Sequence, residues 1–444
     1  MIHDELKKVF EIIDDYRDEI IDFTRRLVKI PSIAGTPMEG EAQKLVIGKI
    51  KNEIEGATLD VFEPSIEELR KYPLHPIRIQ EWTYKGRPNV VSIIGKNKGR
   101  SLILNGHIDV ASPEPLDLWN YDPWGAEVEN GRIYGRGAAD MKAGIACIIY
   151  SVAAIIKAGL IPKGKVIIES VVEEENGGGG AIATLLKGYT ADAAIITEST
   201  SSKAICIGAG GSRFFTIKVL GQPTIAHISH KGLNAIDCAI KIYQLLKEIG
   251  DKRLERIRGK YPLFENVEID SVIGTGIPTS LVVGIMRAGD WPTTLAGWAE
   301  IQGRIGFPPD ERGDDVVKEI ESEVMRVAKS DFWMSKRPPK IYWWGPRKEG
   351  YLLSENEAIV KVLRQSIKEV LREEAVIYAT PSNSDGNYFV KKINGYGGIP
   401  TVLYGPYGKN AHAANEYVEI EDIILTTKVL ATVILKWCGY EKFK

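Results

Sequence analysis

Cysteine is scarce in this chain: Cys147, Cys206, Cys238 and Cys438 are scattered over 444 residues with no Cys-x-x-Cys among them. That spacing argues against a disulfide framework and against thiolate metal sites. Each cysteine sits among apolar neighbours and reads as a small core residue. Long apolar runs are missing as well. No stretch approaches roughly 18 uninterrupted apolar residues, so no segment reads as a membrane span. The opening segment, Met1 to Lys29, lacks an apolar signal core and alternates charged and apolar residues at helical spacing, as one amphipathic first helix would. Nor is there an excess of either charge. With 57 Lys and Arg against 59 Asp and Glu, the net charge of −2 argues against a nucleic-acid or anionic-membrane partner held by bulk electrostatics. A cytoplasmic location is the expectation. Histidine is rare too, at six residues, so each one in a polar loop stands out.

A hydrophobic content of 44% with 26% charged residues is that of a globular enzyme. The length exceeds one ordinary core, so two domains are expected. Residues 1–210 alternate strands and helices, which predicts an α/β fold: a mostly parallel sheet covered by helices on both faces. The short β-branched runs Ser101 to Asn105, Lys165 to Val172 and Asp192 to Thr197 read as buried parallel strands. Lys142 to Ala158 reads as a strong apolar helix opened by Asp140. After Gly208-Ala209-Gly210-Gly211 the composition shifts. A strand over Phe214 to Leu220 comes first, followed by a helix over Asn234 to Ile249. Strands near 267–274, 280–287 and 295–306 come next, then a helix over Asp310 to Ala328 and a strand over Lys340 to Trp344. This succession of strands and helices predicts an inserted α+β, ferredoxin-like unit, residues 211–346, with helices on one face of an antiparallel sheet. The first pattern then resumes over 347–444, with helices over Ser354 to Leu371 and Ile420 to Trp437 and a strand over Pro400 to Tyr404.

Five segments bring metal-type side chains to the ends of apolar runs: Gly106-His107-Ile108-Asp109, Tyr134 through Lys142, Glu173-Glu174-Glu175-Asn176-Gly177, Thr197-Glu198, and Ala411 through Glu416. In open α/β sheets ligands collect at the carboxyl ends of strands, where these acids and His107 should emerge. Together they read as a two-metal hydrolase site. His107 and Asp109 are two apart at a strand end, so both face one side. A metal-bound imidazole normally passes its second ring N–H to a carboxylate, and Asp109 is the local candidate. Asp140 has two readings, a helix N-cap and a carboxylate bridging two metals through its two oxygens. Three glutamates together at the end of a buried strand repel one another unless cations are present. One of them would bind a metal while its neighbour takes a proton from water as general base. Glu198 and His412 complete the set, His412 in a Gly-rich polar loop. Donors of this kind without cysteine fit zinc, with cobalt or manganese as alternatives.

Together these segments resemble the co-catalytic zinc amidohydrolase family. That family includes acetylornithine deacetylase, succinyl-diaminopimelate desuccinylase, aminoacylase and glutamate carboxypeptidases. The resemblance spans nearly the whole chain, from Ile30-Pro31-Ser32 through Gly405-Pro406 and on to Glu416. It implies a zinc-exopeptidase-like fold with two divalent metals per chain. One would be held by His107, Asp140 and Glu198, the other by Asp140, Glu175 and His412. Glu174 would be the general base, Asp109 would steer His107, and a cis peptide would follow Asp140. The family's oxyanion-stabilising histidine, which reaches the partner subunit's active site, matches His227, three residues before its rival His230. Arg304 resembles the arginine that grips a substrate carboxylate, a bidentate task suited to guanidinium. The inserted unit would then be a lid and homodimerisation domain.

The expected activity is hydrolysis of the amide bond in a small N-acyl amino acid. A carboxypeptidase or dipeptidase acting on short peptides would use the same site. A metal-binding homodimer without activity is the non-enzymatic alternative, and the intact set of Glu174 and five metal-type ligands argues against it.

Overall fold

The computed structural model describes residues 2–77, 83–267 and 273–443. A nine-stranded sheet forms the centre of the larger unit. Its middle is parallel: Leu102–His107 lies between Val166–Val171 and Ala193–Ile196, and Thr401–Leu403 follows Ala193–Ile196. These strands are buried along nearly their whole length, as their unbroken Val, Ile, Leu and Ala runs require. The margins turn antiparallel, with Thr58–Phe62 pairing Asn89–Ile94, which in turn pairs Val166–Val171. Helices Ala143–Lys157 and Ile420–Cys438 cover the sheet and are buried on nearly every face. The first is apolar nearly all round, as a helix inside a large core must be, and the second keeps a few charged residues at its margin. With the preceding turn, Ala138–Lys157 is long and apolar enough to cross a membrane by composition, but 94% of its most apolar 18-residue stretch is buried within the protein. It is the core helix of this domain. All four cysteines are buried and unpaired.

A second sheet is antiparallel throughout, in the order Ser280–Ala288, Trp298–Phe307, Gly211–Leu220, Lys340–Trp344. Helices Ala235–Ile257 and Gly313–Ser330 pack on it around a hydrophobic core of its own, which includes Phe215, Ile242, Ile301 and Ile320. This strand order is the ferredoxin-like arrangement that the chain order implies. Asn234 caps the first of these helices by accepting the Ile236 N–H at 3.1 Å.

Two sequence expectations need revision. The single opening helix is two, Ile2–Asp15 and Arg17–Val28, divided at Tyr16. Tyr16 turns inward to meet the Tyr150 ring edge-on at 5.2 Å, so an aromatic contact sits where the division falls. The strand expected near 267–274 lies largely on residues outside the described set, and Ile273–Thr279 forms no strand.

Candidate active site

Parallel strands end together, and here four of them end at one place. His107 closes Leu102–His107, the Glu173–Glu175 turn follows Val166–Val171, Glu198 follows Ala193–Ile196, and the loop to His412 leaves Thr401–Leu403. The fifth segment arrives through a small antiparallel sheet in which Tyr417–Glu419 pairs Arg132–Tyr134. That pairing holds the loop before Asp140 against the loop carrying His412. The hydrogen bonds of Glu416 tie the two loops more firmly. One carboxylate oxygen accepts the N–H groups of Ala139 and Asp140 at 2.9 and 3.0 Å. The other accepts the Gly137 N–H at 3.0 Å and the buried Arg136 guanidinium. Asp140 and Met141 themselves carry the non-helical backbone angles that break the turn before the helix, and the peptide between them is cis.

The gathered side chains form two clusters that share Asp140: His107, Asp140 and Glu198, and Asp140, Glu175 and His412, each with donor atoms within 4.8 Å of one another. The two Asp140 oxygens divide between them. Oδ1 lies 3.0 Å from His107 Nε2, and Oδ2 lies 3.3 Å from His412 Nε2. Glu175 Oε2 approaches His412 Nε2 at 2.9 Å, and Glu198 Oε1 lies 3.8 Å from His107 Nε2. His107 Nδ1 donates to the carbonyl of Asp109 at 2.9 Å, which leaves Nε2 as the donor atom facing the cluster.

The electrostatics of this place are those of acids crowded out of water. Burial and the Asp140 charge push Glu175 up to about 7 and raise Glu198 well above the carboxylate range. Asp140 is held well below its usual value: its hydrogen bonds to the two histidines outweigh a large burial penalty. His412 is pushed up to about 11 by hydrogen bonds to Asp140 and Glu175. His107 is likewise raised, because Asp140, Asp109 and Glu198 outweigh its burial. Positive charge is thus favoured at both histidines, the same charge that divalent ions would bring to these acids. Glu175 Oε1 is buried with no hydrogen-bond partner, the mark of a donor whose partner is not a protein group. The donor set and its sharing through Asp140 fit a pair of divalent ions.

Other expected residues are placed as follows. The Asp109 carboxylate stands 3.6 Å from His107 Nδ1, farther than its own carbonyl. Its oxygens are engaged instead by the N–H groups of Glu174 and Glu175, at 3.1 and 3.0 Å. Asp109 therefore braces the glutamate turn, and the tautomer of His107 is set by the carbonyl. Glu174 is not free: it ion-pairs with the buried Lys348, which the sequence reading did not single out. Arg304 lines the same cavity of about 610 Å³ as Asp140, Glu174, Glu198 and His412. Its guanidinium is half-buried and donates to Ser280 Oγ at 2.9 Å. It has no acidic partner among the described residues, and burial alone lowers its pKa. His227 is not brought to the cavity. It is exposed on the turn Ala226–Lys231 of the antiparallel unit.

Comparison with known proteins decides the family. The sequence matches the model of Peptidase family M20/M25/M40 over residues 103–436. The chain belongs to that family. A curated relative, the N-formyl-4-amino-5-aminomethyl-2-methylpyrimidine deformylase of Bacillus subtilis (strain 168), is 30% identical over 97% of both chains. Among solved structures, a dipeptidase from Saccharomyces cerevisiae superposes with a TM-score of 0.74 at 15% identity, covering 98% of each chain. A tripeptidase from Staphylococcus aureus gives 0.68 at 22% identity, over 95% of this chain and 98% of its own. This M20/M25/M40 protein is thus a metal-dependent amidohydrolase. Enzymes of the family bind a dinuclear metal site.

Proposed function

We propose that this protein hydrolyses the amide bond of a small N-acyl amino acid, with two divalent ions, zinc in the simplest case, held by the two clusters. The observation that carries the reading is Arg304: a guanidinium with no acidic partner among the described residues, lining the same cavity as both clusters, suits a substrate bearing a carboxylate. Bound there, the ions would supply Lewis acidity toward the amide carbonyl and the attacking water. Glu174, at the cavity wall, would take the water's proton and return it to the departing nitrogen. Asp109 would hold the turn that carries Glu174, and Arg304 would orient the substrate. The full-length relative that deformylates an N-formyl compound supports a deacylase over a peptidase, and places formyl among the acyl groups to be tried.

Residues 211–346 would act as a lid and dimerisation domain, with His227 reaching the partner's cavity to stabilise the oxyanion. Two features support this reading: Ile236, Ile240 and Tyr243 form an exposed apolar stripe on one helix, and the edge strand Ser280–Ala288 exposes Val282 and Met286. A cytoplasmic location remains part of the proposal. The test is turnover on a panel of N-acetyl, N-succinyl and N-formyl amino acids, an N-formyl aminomethylpyrimidine, and dipeptides. Turnover confined to the dipeptides would remove the deacylase reading. No turnover with zinc, cobalt or manganese supplied would remove the N-acyl amino acid altogether.

A further inference from the structure

Lys348 belongs to neither cluster, and its position is unusual for an ammonium. Its side chain is almost wholly buried, yet it lines the substrate cavity and pairs with Glu174. Around Glu174 the charges are adverse: Asp109, Glu198 and Asp385 all feel its carboxylate as a repulsive neighbour. Lys348 is the one side-chain donor to Glu174 among the described residues. Both carboxylate oxygens of Asp385 are buried without hydrogen-bond partners, and that acid also favours charge on Lys348. The ammonium is therefore paired with the part-buried proposed base and also feels the charge of the buried Asp385. Its Nζ also lies 5.7 Å from the centre of the Tyr388 ring, whose hydroxyl donates to the Gly177 carbonyl at the end of the glutamate turn.

What makes Lys348 informative is the strand of chain that carries it. The chain leaves the large unit near Gly210–Arg213 and returns along 345–350, and the two crossings are bonded side by side. The Lys348 carbonyl accepts the Ser212 N–H at 3.0 Å and Arg213 Nη1 at 3.1 Å. Arg213 also pairs with Glu349, and Asn387 Nδ2 donates to the carbonyls of Gly210 and Glu349, at 3.0 and 2.8 Å. The Ile77 and Gly345 backbones exchange hydrogen bonds, and Arg347 reaches the Pro73 carbonyl at 2.8 Å. The backbone that bears Lys348 is thus fixed to both units at once.

We propose that Lys348 is the positioning residue of the general base: it aims the Glu174 carboxylate into the cavity and makes that aim depend on how the antiparallel unit is seated. This rests on Glu174 being the base. Without the ammonium, Glu174 would be a repelled carboxylate at the cavity wall, and a misplacement of about 1 Å at the reacting groups costs on the order of 10²-fold in rate.

The experiment is a double-mutant cycle on the full-length, metal-loaded enzyme, read as kcat and KM, with metal per chain and the thermal midpoint measured on every variant. Lys348→Met should lower kcat by roughly 10²-fold with KM little changed and two ions per chain retained. Lys348→Arg should recover most of the loss. In a Glu174→Gln background, Lys348→Met should add almost nothing, because residues acting as one unit are non-additive. Glu349→Gln loosens the crossing without touching the ammonium and should lower kcat by a smaller factor. Additive losses in the cycle, or a raised KM with kcat intact, would show that Lys348 meets the substrate itself and would overturn the proposal, as would an unchanged kcat. If Lys348→Met does not fold, an unchanged kcat in Glu349→Gln overturns it equally. A Glu174→Gln enzyme with wild-type kcat would instead refute the base assignment, an outcome distinct from any of these.

Discussion

Asp140 and Glu174 carry different loads at the same site, and substitution separates them. Because the Asp140 oxygens divide between the two histidines, Asp140→Ala should disturb both ions, and elemental analysis should find well under two per chain. Wild-type stoichiometry would remove Asp140 from the bridge. Glu174→Gln is nearly isosteric but cannot accept a proton. Metal content should persist while turnover falls by about 10² to 10⁴. Glu175→Gln should lose metal instead, and the opposite behaviour of these neighbours would mean the pair is read one residue out of register. A third carboxyl, Glu169, is inside the sheet and concerns stability. Burial pushes it up to about 7, against hydrogen bonds from Asn105 and Thr184. The folded protein therefore keeps a proton there that the unfolded chain has released above its ordinary value. Stability from this group falls as pH rises from about 4.5 to about 7, by roughly 3 kcal/mol once both states are ionised. Glu169→Gln removes the charge, and its amide N–H can meet Asn105 Oδ1, which is buried without a partner. The variant should gain stability over wild type at pH 8 and little at pH 4.5, measured by thermal unfolding at both. An equal gain at both would show that Glu169 does not titrate on unfolding.

Among the elements, the loop entering the apolar helix depends on a residue far away in sequence. Glu416 accepts three successive-loop N–H groups and the Arg136 guanidinium, so it shapes the backbone from which Asp140 projects. Removing its charge strands a buried guanidinium, which typically costs about 3–5 kcal/mol. Glu416→Gln should therefore lower the thermal midpoint and weaken metal retention without removing any ligand. A variant that holds two ions as tightly as wild type would reduce Glu416 to a purely structural brace. Glu416 lay within a segment already marked in the sequence, but its hydrogen bonds join residues some 280 positions apart, and no local pattern encodes them. Periodicity made the parallel strands legible, because strands buried on both faces read as unbroken β-branched runs. It also made the antiparallel unit legible through its strand–helix order. Lys348 and Asp385 were not legible. A lysine in a charged stretch such as Arg347-Lys348-Glu349 reads as solvated, and only the two bonded chain crossings bury it. Asp109 was legible as the carboxylate beside His107, but its hydrogen bonds to the glutamate turn are not revealed by spacing along the chain.

For the whole molecule, the open question is how an exposed histidine on one unit could serve a cavity in the other. His227 lines no part of the cavity formed with its own Glu174, whereas the apolar stripe of Ile236, Ile240 and Tyr243 and the edge strand Ser280–Ala288 lie on the same antiparallel unit. If two copies join through that unit by a twofold axis, each histidine is carried toward the other copy. Mixing a His227→Ala chain with a Glu174→Gln chain, each inactive alone, then discriminates. In the mixed dimer, the cavity with intact Glu174 belongs to the His227→Ala chain and receives the intact His227 of its partner. The other cavity lacks both. Random exchange makes about half of all dimers mixed, each with one working site of two, so recovery near a quarter of wild-type activity follows from symmetry alone. A histidine acting within its own chain would leave both cavities of the mixed dimer broken. Absence of recovery after verified subunit exchange would therefore place His227 outside the partner's site, and a monomer in sedimentation would remove the shared site with it.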